Sequence, residues 1–250
     1  MKVARDLMVE FPVLRWNDFI TRARQILRDD LYREIYVTNE KNGLMGYIDA
    51  TDVLKVTDTK SNVTVEGFVK EAASVHPDDS LETVAGIIRT MGTDSAAVTN
   101  EARNVIGGIM LSELFQILIR RQELRGRVSD FMAQRVVTCR PDDTIQKLYS
   151  LIVESGYYAF PVVRDGILVG MLSRNDLLRY GRIRKTLENS SKVHVENLMT
   201  TPAIYVSPDD DIGEAARSLT VHDISRLPVV LNGNLVGILD RHDVLKGLSL

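Results

Sequence analysis

Val169-Gly170-Met171-Leu172-Ser173-Arg174-Asn175-Asp176 recurs further along the chain as Val236-Gly237-Ile238-Leu239-Asp240-Arg241-His242-Asp243. Each stretch sets a glycine before two apolar residues and places an acid six positions after the glycine. Looser versions stand at Gly46-Tyr47-Ile48 to Asp52 and at Gly107-Gly108-Ile109 to Glu113. Successive glycines lie 61, 63 and 67 residues apart. The chain is therefore four copies of a unit of roughly sixty residues. Two further landmarks keep the same order. Pro77-Asp78-Asp79, Pro141-Asp142-Asp143 and Pro208-Asp209-Asp210 precede their glycines by 30, 29 and 29 residues, and Trp16-Asn17-Asp18 takes that place in the first copy. Each copy opens on a third landmark: Val3 to Met8, Val65 to Lys70, Val128 to Met132, and Val195 to Met199.

Every copy reads as strand, helix, strand, strand, helix. In the third, a short apolar strand from Arg135 to Cys139 runs into Pro141-Asp142-Asp143, where an Asp side chain suits a helix cap. Ile145, Leu148, Leu151 and Ile152 then share one helical stripe. Apolar runs from Ala159 to Val163 and Ile167 to Leu172 flank the turn Arg164-Asp165-Gly166, as their counterparts in the fourth copy flank Asn232-Gly233-Asn234. Such turns are short enough for antiparallel hairpins. The motif acid opens the second helix. A unit this small buries its faces poorly alone, so consecutive copies are expected to pair. The expected class is α+β: β-α-β-β-α repeats over residues 1–60, 61–122, 123–186 and 187–250, paired into modules 1–122 and 123–250 with a pseudo-twofold in each.

Bulk properties exclude several classes. Apolar residues make up 44% and charged residues 26% of 250, an ordinary globular profile. A net charge of −3 gives no general pull toward nucleic acid or an anionic membrane. No apolar run approaches the roughly 20 residues of a membrane span, and MKVARDLMVE has no signal-peptide core. Cys139 is the single cysteine, so no internal disulfide forms and a reducing cytoplasm is the expected location. The four histidines and one cysteine are too scattered for zinc.

The element order, Pro-Val-Val at Pro161 and Pro228, and the two quoted motifs resemble the CBS domain, closely in copies three and four and loosely in one and two. In that family two copies pair as a Bateman module, and adenosyl ligands lie in clefts between them. Four copies on one chain are also similar to the gamma subunit of AMP-activated protein kinase and to stand-alone prokaryotic CBS proteins. The resemblance implies that the motif acid accepts bonds from both ribose hydroxyls, a charge-assisted contact. Asp52, Asp176 and Asp243 match that acid, while Glu113 adds a methylene. It implies that Ser173, three after the glycine, reaches ribose or phosphate; Asp49, Met110 and Asp240 stand there in the other copies. It implies a phosphate contact for Arg226, two residues before Pro228, and for Arg33, assigned the same place before Ile35, with Asp94 and Ala159 in copies two and three. Thr200 to Ile204, with Thr201 and Ile204 as its lining residues, resembles the stretch around adenine and ribose. Tyr158 and Ala159 match the segment that reads the base. The expected ligands are AMP, ADP or ATP, then S-adenosylmethionine or methylthioadenosine. The expected partners are an unidentified regulated protein and, if modules pair between chains, a second copy.

Simpler readings stand beside these. Each motif acid also suits a helix cap, and either arginine suits a surface ion pair worth about 0–1 kcal/mol. Arg120 to Arg127, with Arg179, Arg182, Arg184 and Lys185, is basic enough to meet nucleic-acid phosphates. No interleaved aromatics accompany it, and charge that keeps linkers soluble explains it as well. An interaction or nucleic-acid-binding scaffold is therefore the second reading. No nucleophile–base pair, metal cluster or phosphate-cradling glycine loop stands out, so a regulatory protein rather than an enzyme is expected.

Overall fold

The computed structural model describes residues 2–28, 31–57, 61–121, 124–180 and 193–248. The chain divides into two compact units, residues 1–122 and 123–248.

In the first unit, β1 (Val13–Arg15), α1 (Ile20–Leu27), β2 (Glu34–Thr38), β3 (Leu44–Asp49) and α2 (Ala50–Leu54) form copy one. Copy two is β4 (Ser74–Val75), α3 (Leu81–Met91), β5 (Ser95–Thr99), β6 (Val105–Met110) and α4 (Leu111–Arg121). Each makes a three-stranded sheet, β1-β2-β3 and β4-β5-β6, with the first pair parallel and the second antiparallel. In the second unit, α5 (Ile145–Ser155), β7 (Ala159–Arg164), β8 (Ile167–Ser173) and α6 (Arg174–Arg179) are followed by α7 (Ile212–Val221), β9 (Arg226–Leu231), β10 (Asn234–Asp240) and α8 (Arg241–Lys246). One sheet of order β7-β8-β10-β9 results, and β8 meets β10 only at Ile167 and Asn234. The fold is α+β, with four repeats of this unit, two in each compact unit.

Local chemistry explains these elements. Asp165-Gly166 and Asn232-Gly233 both hold positive φ at the two central positions, the arrangement that lets a two-residue turn follow strand twist. Helix α5 starts on Thr144, whose side chain accepts from Lys147 N, and ends on Gly156 at φ 70°. Its Ile145, Leu148 and Ile152 are buried, as are Phe160, Val162 and Leu172 of the adjoining hairpin. Fully burying one such side chain contributes about 1.5–3 kcal/mol.

Two expectations need correction. The first strand of copies three and four is a single parallel bridge, Cys139 to Val162 and Val206 to Val229. The Pro-Asp-Asp acids, moreover, do not cap the helix. Asp79, Asp143 and Asp210 accept from the backbone N–H three residues upstream, at His76, Arg140 and Ser207, and Asp18 accepts likewise from Arg15. The carboxylate points back and braces the turn. The cap falls to the next residue: Ser80, Thr144 or Asp211.

The copies exchange their opening segments. Val65 N donates to Asp18 O of copy one, while Ala4 N and Arg5 N donate to Asp79 O and Pro77 O of copy two. Val128 and Ser129 reach Asp210 and Pro208, and Val195 and Glu196 reach Asp143 and Pro141, in the same way. Each opening segment then lies across its partner's motif. Met171 and Thr200 exchange both backbone hydrogen bonds, as do Ile238 and Ala133, Tyr47 and Lys70, and Gly108 and Val9. This crossing accounts for the motif glycine. A Cβ at Gly170 would stand 2.9 Å from Thr200 O, and one at Gly237 3.1 Å from Ala133 O.

Candidate functional site

The motif acid sits where a buried strand ends and a short helix begins. At Ser173 the chain is extended, and a reciprocal box forms. Ser173 N donates to Asp176 Oδ2 at 2.7 Å, Ser173 Oγ donates to the same oxygen at 2.6 Å, and Ser173 accepts from Asp176 N. Asp240 and Asp243 form the same box, as do Asp49 and Asp52. The capping role weighed from sequence is thus real, but it engages only one edge of each carboxylate. What meets the rest differs. Asp243 Oδ1 holds Lys246 Nζ at 2.7 Å. Asp52 holds Lys55 on Oδ1 at 3.0 Å, and Lys70 at 2.7 Å on the Oδ2 that its box already uses. Asp176 pairs with no lysine or arginine among the described residues. Burial and the nearby Asp240 raise the Asp243 carboxyl above its ordinary value.

The exchanged segments decide which residues share a cleft. Thr200 lies opposite Met171, and Thr201 Oγ1 donates to Val169 O at 2.9 Å. Thr200 to Ile204 therefore belongs with Ser173 and Asp176, before the segment returns to β9 at Val206. The motif that ends at Asp243 is crossed by the opening segment of copy three, where Ala133 pairs with Ile238. Next to Ser173, Arg174 belongs to a stack of side chains. The Arg174 guanidinium lies 3.0 Å from the centroid of the Tyr158 ring, and that of Arg226 lies 5.0 Å from it. Arg226 Nη2 also lies 3.5 Å from Asp240 Oδ2. Ala159 pairs with Ser173 across the hairpin. Tyr158, Ala159, Ser173 and Arg226 are thus brought to one place. Arg174, buried and absent from the sequence expectation, joins them.

The first module departs from this. Arg226 pairs in register with Asp240, the residue three after its glycine, and Glu34 pairs in the same way with Asp49. The counterpart of Arg226 in copy one is therefore Glu34, not Arg33, and in copy two it is Ser95, not Asp94. Sequence alignment slipped by one because neither copy has the proline that anchors the strand. Arg33 lies 3.7 Å from Asp94. Glu34 is buried, accepting from Asp94 N at 2.8 Å and Ser95 Oγ at 2.5 Å, while Tyr36 donates to Ser95 Oγ at 2.8 Å. Burial, with the Asp94 charge second, pushes the Glu34 carboxyl up to about 8. Lys70 Nζ sits between Asp49, at 2.9 Å, and Asp52. Only the repeat count carried a signal for Lys70: five residues from Val65 reach it, as five from Val195 reach Thr200.

A sequence profile of the CBS domain matches residues 128–182 and 195–250. The CBS domain-containing protein YhcV of Bacillus subtilis is 34% identical over 118 residues, covering 47% of this chain and 81% of YhcV. The chain belongs to the CBS-domain family. MJ1225 of Methanocaldococcus jannaschii is 20% identical over 98% of this chain and 97% of its own. Its crystal structure, described as that of a proposed archaeal homologue of the AMP-activated kinase γ subunit, superposes with a TM-score of 0.83, covering 95% of this chain and 96% of that one at 19% identity. That likeness establishes the four-repeat CBS fold. MJ0188 of the same organism is 35% identical over 48% of this chain, a match that spans 43% of MJ0188. Among the described residues no group of acids, histidines or cysteine is placed to hold a metal, and no helix is long and apolar enough to cross a membrane.

Proposed function

We propose that this CBS protein is a ligand-sensing regulator whose 123–250 module binds an adenine nucleotide (AMP, ADP or ATP) or a related adenosyl compound. The observation that carries this reading is the Asp176 carboxylate. It is oriented by its capping box, carries no paired cation among the described residues, and lies beside the exchanged segment Thr200–Ile204. A carboxylate held this way suits two adjacent hydroxyls. Thr201 and Ile204 supply the neighbouring wall, Tyr158 and Ala159 the segment beside Ser173, and Arg226 the donors for phosphate. Asp243 is the second candidate, already engaged by Lys246.

The signal is mechanical. A ligand on Asp176 and on Thr200–Ile204 ties copy three to a segment of copy four, while the two hairpins join at their turn ends, through Ile167 with Asn234 and Leu235 N with Gly166 O. Differential affinity for two arrangements of the copies sets the size of the response, and a partner protein reads it. Turnover plays no part in this reading. Calorimetric titration with AMP, ADP, ATP, adenosine, S-adenosylmethionine and methylthioadenosine tests it. No binding at submillimolar concentration, or binding untouched by Asp176→Asn, rejects it. In the scaffold alternative, Arg182, Arg184 and Lys185 lie outside the described residues.

A further inference from the structure

Lys70 and Thr200 occupy the same backbone position. Lys70 N and O bond to Tyr47 O and N, both at 2.8 Å, and Thr200 N and O bond to Met171 O and N at 2.8 and 3.0 Å. Tyr47 and Met171 each follow the motif glycine of their own copy. Each side chain at this position therefore leaves the exchanged segment beside the motif acid of the partner copy. In the second module that residue is a short threonine beside Ser173 and Asp176. In the first it is a lysine, and its ammonium lies 2.9 Å from Asp49 Oδ2 and 2.7 Å from Asp52 Oδ2. It also stands over the Tyr47 ring at 4.8 Å. Asp52 is 2% exposed and Asp49 9%. Two nearly buried carboxylates side by side call for a cation and donors close by, and Lys70, with Lys55 on Asp52, stands there.

We infer that Lys70 is a tethered counter-ion that takes the place of a nucleoside's hydroxyls at Asp52 and so determines that copy one's cleft refuses such a ligand. A ribose has no charge to offer. Its two hydroxyls would have to displace a full ammonium from a pair of desolvated carboxylates, leaving both without it. Glu34 stands where Arg226 stands in the second module, so that position sets a carboxyl rather than a guanidinium against a phosphate. The two modules then play different parts. One is open to ligand at Asp176, and the other is held in one state from within. This division rests on the adenosyl-ligand reading of the second module.

The test compares the wild-type chain with Lys70→Thr, which installs the residue found at the equivalent position, using adenosine as the probe. Lys70→Thr is expected to bind one more adenosine per chain than wild type, and Asp52→Asn in that background is expected to remove the gained site while leaving the original one. An unchanged stoichiometry in folded Lys70→Thr, or a wild-type stoichiometry that Asp52→Asn alone reduces, overturns the inference. A second measurement needs neither a ligand nor a variant. In the native wild-type chain, Lys70 is expected to be acylated by an N-hydroxysuccinimide ester at least tenfold more slowly than the exposed Lys2 and Lys41, and equal rates reject the clamp. Adenosine binding untouched by Asp176→Asn would sink the second-module reading alone, because the Lys70 comparison is scored at Asp52.

Discussion

Ser95 Oγ donates a 2.5 Å hydrogen bond to Glu34 Oε2, and the two residues hold the same register position in the two copies of the first module. The corresponding positions in the second module carry Ala159 and Arg226. A position that holds a small residue and a cation in one module closes on itself in the other.

That closure has a pH signature. Glu34 keeps its proton to about pH 8 in the folded chain, whereas its ordinary value is 4.5. Between those values the unfolded state binds fewer protons, so stability falls as pH rises through the window. Below it both states are protonated, above it both are ionised, and this contribution levels off. Urea midpoints at pH 5 and pH 8 should show the decline in wild type and a smaller one in Glu34→Gln. Equal declines in the two proteins would mean that Glu34 is not the titrating group.

At the candidate site, Asp176→Asn keeps the shape of the capping box and removes the charge. Adenosine affinity should fall at least tenfold, about 1.4 kcal/mol, with the thermal midpoint nearly unchanged. Ser173→Ala should show the opposite balance, losing about 1 kcal/mol of stability as an N-cap and less of the binding. Calorimetry paired with thermal melts separates the two roles.

Arg226 should discriminate by phosphate. Its pairing with Asp240 is partly exposed and worth about 0–1 kcal/mol, so Arg226→Ala should hardly change stability. AMP affinity should drop severalfold more than adenosine affinity. Equal losses for both ligands would reassign Arg226 to holding Tyr158 in place.

Gly170→Ala should uncouple the copies. The added Cβ meets Met199 Sδ and the backbone Thr200 O, both at 2.9 Å, so the crossing segment itself has to move. A cost of about 1–3 kcal/mol is expected from overpacking, together with weaker ligand binding through displaced Thr201. Faster amide exchange at Met171 and Thr200 would report the displacement directly.

Cys139 tests the core. Its thiol is buried and pushed up to about 12 by burial, so a thiol reagent should label it only after unfolding.

The four repeats, the hairpins and the motif acids are legible in the sequence because each rests on local chemistry. Asn232-Gly233 makes its turn wherever the strands go, and an acid placed three residues past an N-cap forms its box within one helical turn. Element order likewise carried the α+β class, and helical periodicity the burial of Ile145, Leu148 and Ile152. The occupants of each cleft were not legible, because they come from the other copy. Gly170 and Gly46 look alike in sequence, and only the exchanged segments place Thr200 over one and Lys70 over the other. Arg33 looked like the match of Arg226 until register put Glu34 there, since strand pairing, not spacing from an absent proline, fixes the face on which a residue falls. Sequence alone determined what each copy is. Tertiary structure decided what each acid meets, because a carboxylate's partner is set by contact across some twenty residues of intervening chain, where Lys70 fills what Thr200 leaves open.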